Sequence, residues 1–170
     1  MKLYCTAENT FDVGSEGKDF NFNLCNFENE DDMRVSHSNG VILYCNSDNA
    51  YKRGLEGEVF NNICPKKLSN AYRAEFIRGR KKFLIKQIKI AHRETEDIDH
   101  QKANLRLKQN RILKQLNSNV GEQPKLRKEL SSNIDNVETQ IKNLSLKKVN
   151  LQKKIRDYEV LVIQANKNQL

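Results

Sequence analysis

The chain has 170 residues, is 37% hydrophobic and 31% charged, and carries a formal net charge of +8. The charge is unevenly distributed: residues 1–65 carry a net −6 and all four cysteines, whereas residues 66–170 carry a net +14 and few glycine, proline or aromatic residues. The second composition is typical of long solvated helices and argues against a large buried core. No run approaches the roughly 18 apolar residues that would span a bilayer.

About half of the residues in the stretch 3–25 recur in the same order at residues 43–64. Nine residues reappear 40 positions later, and an asparagine and a cysteine reappear 39 positions later, after a one-residue gap. We interpret this repetition as a duplicated unit with a small fold of its own, with a cysteine near each end and a Gly-x-x-Gly step between them. The recurring residues are Leu3, Tyr4, Cys5, Asn9, Gly14, Glu16, Gly17, Phe20, Asn21, Asn23 and Cys25.

The four cysteines are predicted to form disulfides. Both copies space their two cysteines alike, and neither copy has the Cys-x-x-Cys pair that structural zinc sites usually use. Disulfides commonly stabilise small regions that have little core to bury. We prefer one bridge within each copy, Cys5 to Cys25 and Cys45 to Cys64. The alternatives are Cys25 to Cys45 with Cys5 to Cys64, a zinc site, or reduced buried thiols.

Each copy also carries two glycines in a Gly-x-x-Gly step, Gly14 and Gly17 in the first and Gly54 and Gly57 in the second. Such glycines allow two helices, or a helix and a loop, to approach closely, or they supply a positive φ in a turn. The glycine patterns of phosphate-binding loops are absent from both copies. We therefore predict a packing role for these four glycines.

A short helix is predicted to lead into the second copy. Its start is acidic, with Asp31 or Asp32 as the expected N-cap, and it continues with apolar residues such as Val35 and Val41. The first copy lacks such a lead-in, and no apolar signal core follows Met1. These two observations favour a longer precursor, from which the signal has been removed, and they argue against a cytosolic protein.

Several motifs stand in a definite order in the N-terminal half of the chain. They are Phe11–Gly17 (FDVGSEG), Gly40–Cys45 (GVILYC), Ala50–Gly57 (AYKRGLEG), Cys64-Pro65, and Tyr72 with Phe76 and Gly79. Over about residues 10–80 they resemble the small Gram-negative lipoproteins grouped as domain of unknown function 2799. The resemblance implies a protein of the periplasm or outer membrane, lipid-anchored in its full form, with the signal and lipidation site outside this sequence. The family brings no known activity and no catalytic residues.

Residues 66–170 are predicted to form a helical hairpin. They contain two rows of mainly apolar residues, and within each row the spacing alternates between three and four residues. A polar stretch with a glycine and a proline separates the two rows. The turn is expected near residues 117–125. The first row is Leu84, Ile88, Ala91, Thr95, Ile98, Lys102, Leu105, Gln109, Ile112 and Leu116, and the second is Ile134, Val137, Ile141, Leu144, Lys148, Leu151, Ile155, Tyr158, Val162 and Ala165.

The two rows have similar lengths and the loop between them is short, so we expect the second helix to fold back antiparallel on the first. Each arm would be ~60–70 Å long. Isolated helices of this composition would be marginal, so pairing of the two rows should stabilise them. Tyr72, Phe76, Phe83, Tyr158 and Leu161 are expected to pack the hairpin against the cysteine-rich head.

No set of residues in this sequence indicates catalysis. His92, Glu96 and His100 lie on one line of the first arm, but two helical turns place the histidines ~12 Å apart, too far to share a metal ion. No nucleophile with a base and no pair of carboxylates can be identified. We expect no enzymatic activity, no bound metal and no cofactor.

Together these features predict a mainly α protein: a disulfide-stapled, duplicated head at residues 1–65, followed by a long antiparallel two-helix coiled coil at residues 66–170. The expected function is that of a non-enzymatic envelope module, with the hairpin as a spacer or docking arm. The alternative is an intracellular basic coiled-coil adaptor or nucleic-acid-binding protein with reduced or zinc-bound cysteines. The expected partner is another protein or envelope component with an acidic surface, or a second copy through the hairpin. Nucleic acid is not the expected partner, because the basic arms have almost no aromatic residues for stacking.

Overall fold

The computed structural model describes residues 4–25, 29–118 and 123–167. These ranges contain no strand, and the predicted mainly α fold is confirmed. Within the same ranges, no helix has the length and apolar character that a membrane span would need. The elements are α1 (Ala7–Ser15), a 3₁₀ helix (Phe22–Leu24), α2 (Glu30–Tyr44), α3 (Ser47–Glu56), α4 (Lys66–Leu116) and α5 (Pro124–Asn166).

The contacts divide the described residues into two compact units. One contains the residues up to Ile85 together with those from Val160, and we call it the head unit. The other is Lys86–Glu159, which we call the arm unit. Both α4 and α5 pass from one unit to the other. The beginning of α4 therefore belongs with α1, α2 and α3, although its composition assigned it to the predicted hairpin.

The start of α2 differs from its prediction. The N-cap is Asn29, whose side chain makes no capping hydrogen bond, so the predicted cap at Asp31 or Asp32 is wrong. Both aspartates lie inside the first turn together with Glu30, where carboxylates are stabilised by the positive end of the helix dipole. Glu30 also forms an ion pair with Arg34 one turn later. The acidic run therefore favours the helix start without capping it.

The core of the head unit is rich in aromatic residues. Tyr72 and Phe76, predicted to pack the hairpin against the head, are buried in this core. The ring of Phe60 lies 6.1 Å from that of Tyr72 and 5.2 Å from that of Phe76. The packing roles predicted for Tyr158 and Leu161 stay predictions. The cluster consists of Val41, Tyr44, Cys45, Ala50, Tyr72 and Phe76, with Phe60, Ile63, Cys64 and Leu68 packed against it.

In the arm unit, α4 and α5 each bury one row of residues. From Ala91 to Leu116 every position of the first predicted row is buried or half-buried, and every other residue is exposed. From Ile134 to Tyr158 the second row behaves in the same way, except that Ser145 is half-buried as well. Each helix of this unit thus has a single contact face.

The two rows meet in two apolar clusters joined by polar contacts. Lys148 Nζ lies 2.6 Å from an Asp99 carboxylate oxygen, and Gln109 Nε2 donates to Glu138 Oε1 at 2.9 Å. Of the two α4 residues, Gln109 comes later in the chain, and its partner Glu138 comes earlier in α5 than Lys148, the partner of Asp99. The first cluster is Ala91, Ile98, Leu151 and Ile155 with Ile88 and Leu144; the second is Ile112, Leu130 and Val137 with Leu105, Leu116, Leu126, Ile134 and Ile141.

The second row extends further than the sequence pattern indicated. Leu126 and Leu130 precede its first predicted member, Ile134, and both pack in the second cluster. α4 ends at Leu116 and α5 begins at Pro124, on either side of the predicted turn. Residues 119–122 of that turn lie outside the described residues.

Candidate functional site

The candidate site consists of the two disulfides of the head unit and the helix contacts around them. The structure pairs Cys5 with Cys25 and Cys45 with Cys64, with Cα–Cα distances of 5.6 and 5.7 Å. These are ordinary separations for a disulfide. The bridges are those preferred from the repeat, so the crossed pairing, the zinc site and the reduced thiols are not adopted.

Gly14 and Gly40 bring α1 and α2 into close contact. A Cβ atom added to Gly14 would come within 3.0 Å of the carbonyl oxygen of His37, and one added to Gly40 would come within 3.0 Å of that of Phe11. Backbone cannot move aside as a flexible side chain can. Both positions therefore require glycine for this packing.

The same contact recurs in the second copy, between α3 and α4. A Cβ atom on Gly54 would come within 3.0 Å of the carbonyl oxygen of Phe76, and one on Gly79 within 3.0 Å of that of Tyr51. The close approach predicted for Gly54 is therefore present, but the partner glycine was missed. A signal for it existed in the sequence, because Gly40 and Gly79 are separated by the same offset that relates Cys25 to Cys64.

The second glycine of each copy has the positive φ that the sequence allowed. Gly17 has φ +74° and Gly57 has φ +84°, both in the left-handed region. The ring of Tyr44 occupies the space that a Cβ on Gly17 would need, and the ring of Phe83 does the same at Gly57. Phe83 thus packs within the head unit, and it follows Tyr44 by 39 residues, the same offset that relates Cys25 to Cys64.

The beginnings of α1 and α3 are also held alike. Asn9 Nδ2 donates to the carbonyl oxygen of Tyr4 at 2.7 Å, and Asn49 Nδ2 donates to that of Tyr44 at 2.7 Å. Each asparagine therefore ties the first turn of its helix to the residue just before a disulfide cysteine. Both asparagines were identified in the sequence only as recurring residues.

Tyr44 connects the two regions of similar sequence. Its ring contacts Gly17 on one side, stacks on Tyr72 with centroids 5.3 Å apart, and lies 4.5 Å below the guanidinium carbon of Arg53. Asn61 Nδ2 adds a hydrogen bond to the carbonyl oxygen of Gly17. Burial raises the pKa of Tyr72 far above its ordinary value, and the neighbouring Tyr44 hydroxyl adds to the shift. The phenol therefore stays neutral.

The charged groups of the arm unit are mostly exposed. A hydrogen bond from Lys148 lowers the pKa of the Asp99 carboxyl below its ordinary value. His92 and His100 are exposed on α4, and among the described residues no cluster of histidine, cysteine, aspartate or glutamate has a geometry that would hold a metal ion. An open cavity of about 760 Å³ lies beside the end of α4 and the beginning of α5, lined by residues such as Leu113, Arg127 and Asp135.

The helix pair containing the second disulfide, Cys45 to Cys64, is also where a relationship with known proteins is found. Residues 28–81 match the family described as Protein of unknown function (DUF2799). The predicted resemblance is confirmed. The matched range covers α2, α3 and the beginning of α4, about a third of the chain. The motif at Phe11–Gly17, which was part of the predicted resemblance, lies outside it.

Neither a curated protein nor a solved structure matches the chain. Because the DUF2799 description names no activity, the functional argument rests on the geometry described above.

Proposed function

We propose that the protein is a non-enzymatic module of the Gram-negative cell envelope, in the periplasm or at the outer membrane and lipid-anchored in its full form. In this proposal a duplicated, disulfide-closed head carries an antiparallel helical hairpin that serves as a spacer or docking arm. The observation that carries it is the pair of disulfides, one in each sequence copy. Structural disulfides form and persist in oxidising compartments such as the periplasm.

The recurring contacts of the head unit support duplication. Helices α1 and α2 meet at Gly14 and Gly40, and α3 and α4 meet at Gly54 and Gly79 with the same backbone contacts. Each helix pair has its own disulfide and its own left-handed glycine. We infer that each copy is a helix pair, longer than the stretch of obvious sequence identity.

The contacts of the arm unit support the hairpin. Asp99 contacts Lys148 and Gln109 contacts Glu138, which is the order expected of two helices that run in opposite directions. Two helices that pack along one row each form an elongated element, and the element needs no third helix to bury its apolar side chains. This is what a spacer or docking arm needs.

The oxidation state of the cysteines tests the proposal directly. The full chain would be exported to the periplasm behind a cleavable signal, and thiols would be blocked with an alkylating reagent at lysis. We expect an intact mass four hydrogens below that of the reduced chain, no alkylation, and peptides linked within each copy. The same chain produced in a reducing cytosol and alkylated in denaturant is the control.

Free thiols in the exported protein, or a native mass that includes zinc, would contradict the envelope proposal. They would favour the second candidate, an intracellular basic adaptor or nucleic-acid-binding protein. The net +14 of residues 66–170 is the observation in favour of that candidate.

A further inference from the structure

Helix α5 carries an exposed second row of residues within the arm unit, separate from the row it buries against α4. Lys142, Leu146, Val149, Lys153 and Arg156 follow spacings of four, three, four and three, and all are exposed. Leu146 and Val149 are each 57% exposed. Neither takes part in the two apolar clusters of this unit. The outer surface of α5 is therefore amphipathic in its own right.

The same segment is strongly basic. Residues 139–156 contain six lysines and arginines and no acidic residue. Lys148 is neutralised by Asp99, whereas no ion pair joins the other five cations to an acid within the described ranges. We call the exposed row, together with Lys147 and Lys154, the outer basic face.

Charge argues against a second copy as the occupant of this face. Two copies meeting symmetrically through it would bring ten unneutralised cations together, and like charges across an interface repel. Nucleic acid is also a poor fit. Residues 139–157 include no aromatic side chain on which bases could stack, and phosphate contacts would leave Leu146 and Val149 without a role.

We propose that the outer basic face lies on the surface of a bilayer of anionic phospholipids. The helix would lie parallel to the membrane, with its five free cations among the headgroup phosphates and with Leu146 and Val149 reaching the acyl boundary. The segment 142–156 is ~21 Å long, so a flat surface can meet the whole exposed row, and the long side chains of Lys147 and Lys154 reach that surface from the flank of the helix. This proposal gives the docking arm its partner, and so it rests on the function proposed above.

Vesicle co-sedimentation of the full disulfide-bonded chain tests the proposal. We expect binding to vesicles of phosphatidylglycerol and phosphatidylcholine and none to pure phosphatidylcholine. The variant Lys153→Gln/Lys154→Gln/Arg156→Gln should bind ~100-fold more weakly, because each cation near the surface contributes a factor of about 5. Binding should also fall steeply when salt is raised, since screening weakens exposed charge interactions.

A second triple variant controls for net charge. Lys125→Gln/Arg127→Gln/Lys128→Gln removes the same charge from the same helix outside the outer basic face, and it should weaken binding less than about 5-fold. Equal weakening by the two triple variants would show a diffuse charge effect and overturn the proposal.

The apolar pair tests whether the bilayer itself is the occupant. Leu146→Ser/Val149→Ser keeps every charge and should weaken vesicle binding about 10-fold, because the lost apolar contact is made only with the acyl boundary. Helix content and melting should not change, since both residues are exposed. Unchanged vesicle binding by this variant would contradict the proposal.

Three other outcomes would replace the bilayer by a different partner. Tighter binding to a short DNA duplex than to vesicles at the same salt would indicate nucleic acid. Tighter binding to a polyglutamate peptide would indicate an acidic protein. A dimer in sedimentation that Leu146→Ser/Val149→Ser disrupts would indicate a second copy. None of these results changes the disulfide mass, so failure here is distinguishable from failure of the envelope proposal.

Discussion

The head unit and the arm unit pack their helices by different means. In the head unit, helices approach each other at single glycines, and neighbouring backbone or rings fill the space that side chains would need. In the arm unit, each helix contributes a repeated row of mainly apolar side chains, and a few members of these rows, such as Lys148 and Gln109, are polar. The head unit therefore depends on a few positions, whereas the arm unit depends on the sum of many similar contacts.

The largest expected effect comes from placing a charge inside the arm row. Ile112 is 7% exposed in the second apolar cluster, so Ile112→Asp both removes apolar burial and buries a carboxylate. We expect a loss of about 4 kcal/mol in the free energy of unfolding, with the arms splayed apart. Leu113→Asp, at an exposed neighbouring position, should cost less than about 1 kcal/mol. Identical melting of the two variants by far-ultraviolet circular dichroism would be evidence against the paired helices.

The next effect concerns the covalent bridges of the head unit. Removing the second bridge with Cys45→Ser/Cys64→Ser should lower the free energy of unfolding by about 3 kcal/mol, because the open chain regains loop entropy. Urea titration followed by near-ultraviolet circular dichroism of the buried tyrosines would measure this loss. Cys5→Ser/Cys25→Ser opens a loop of nearly equal length and should cost a similar amount. A bridge that contributes nothing would show that the glycine contacts alone hold its helix pair.

A smaller effect separates the glycine contacts from helix propensity. In an exposed helix, alanine in place of glycine is stabilising by about 1 kcal/mol. At Gly54 the clash with the Phe76 carbonyl should reverse the sign, and we expect Gly54→Ala to lose about 2 kcal/mol in urea titration. Lys52→Ala, exposed on the same helix, is the control for the new alanine. Gly14→Ala should match Gly54→Ala if the two helix pairs are equivalent, and a stabilised Gly54→Ala would refute the close approach.

The smallest effect is expected at the ion pair of the arm unit. The pKa of Asp99 is lowered in the folded state, so its contribution is present above the unfolded value of about 3.9 and is lost as the pH falls through the lower folded value. Asp99→Asn should therefore reduce the melting temperature slightly at pH 7, and this reduction should become smaller as the pH falls below about 3.9. The group is exposed, and exposed ion pairs contribute little.

Asp97→Asn, which removes a neighbouring carboxylate outside this ion pair, is the control. An equal loss for both variants at pH 7 would mean that Lys148 makes no specific contribution.

The contact rows of the arm unit could be predicted from the sequence, because the buried face of a helix recurs every three or four residues. Between Ala91 and Leu116, the buried and half-buried positions of α4 are those of the predicted row. In α5 the pattern missed Ser145 and also Leu126 and Leu130, because the polar stretch before these two leucines obscured the start of the pattern. The preferred cysteine pairing could be inferred for a related reason. Recurrence of the whole motif at a nearly constant offset made one bridge per copy the simplest arrangement.

The sequence by itself determined the helical content, the break before Pro124 and the contact rows of the arm, and it favoured one of the possible cysteine pairings, because each depends on local spacing or on a repeat. Only the tertiary structure decided that Gly14 meets Gly40, that Gly54 meets Gly79, and that the beginning of α4 completes the head unit. It also decided that the Tyr44 ring contacts Gly17 of the first copy and stacks on Tyr72 of α4. These contacts join residues distant in the chain with no periodicity between them, so they follow from how the helices pack and not from the pattern of any one helix.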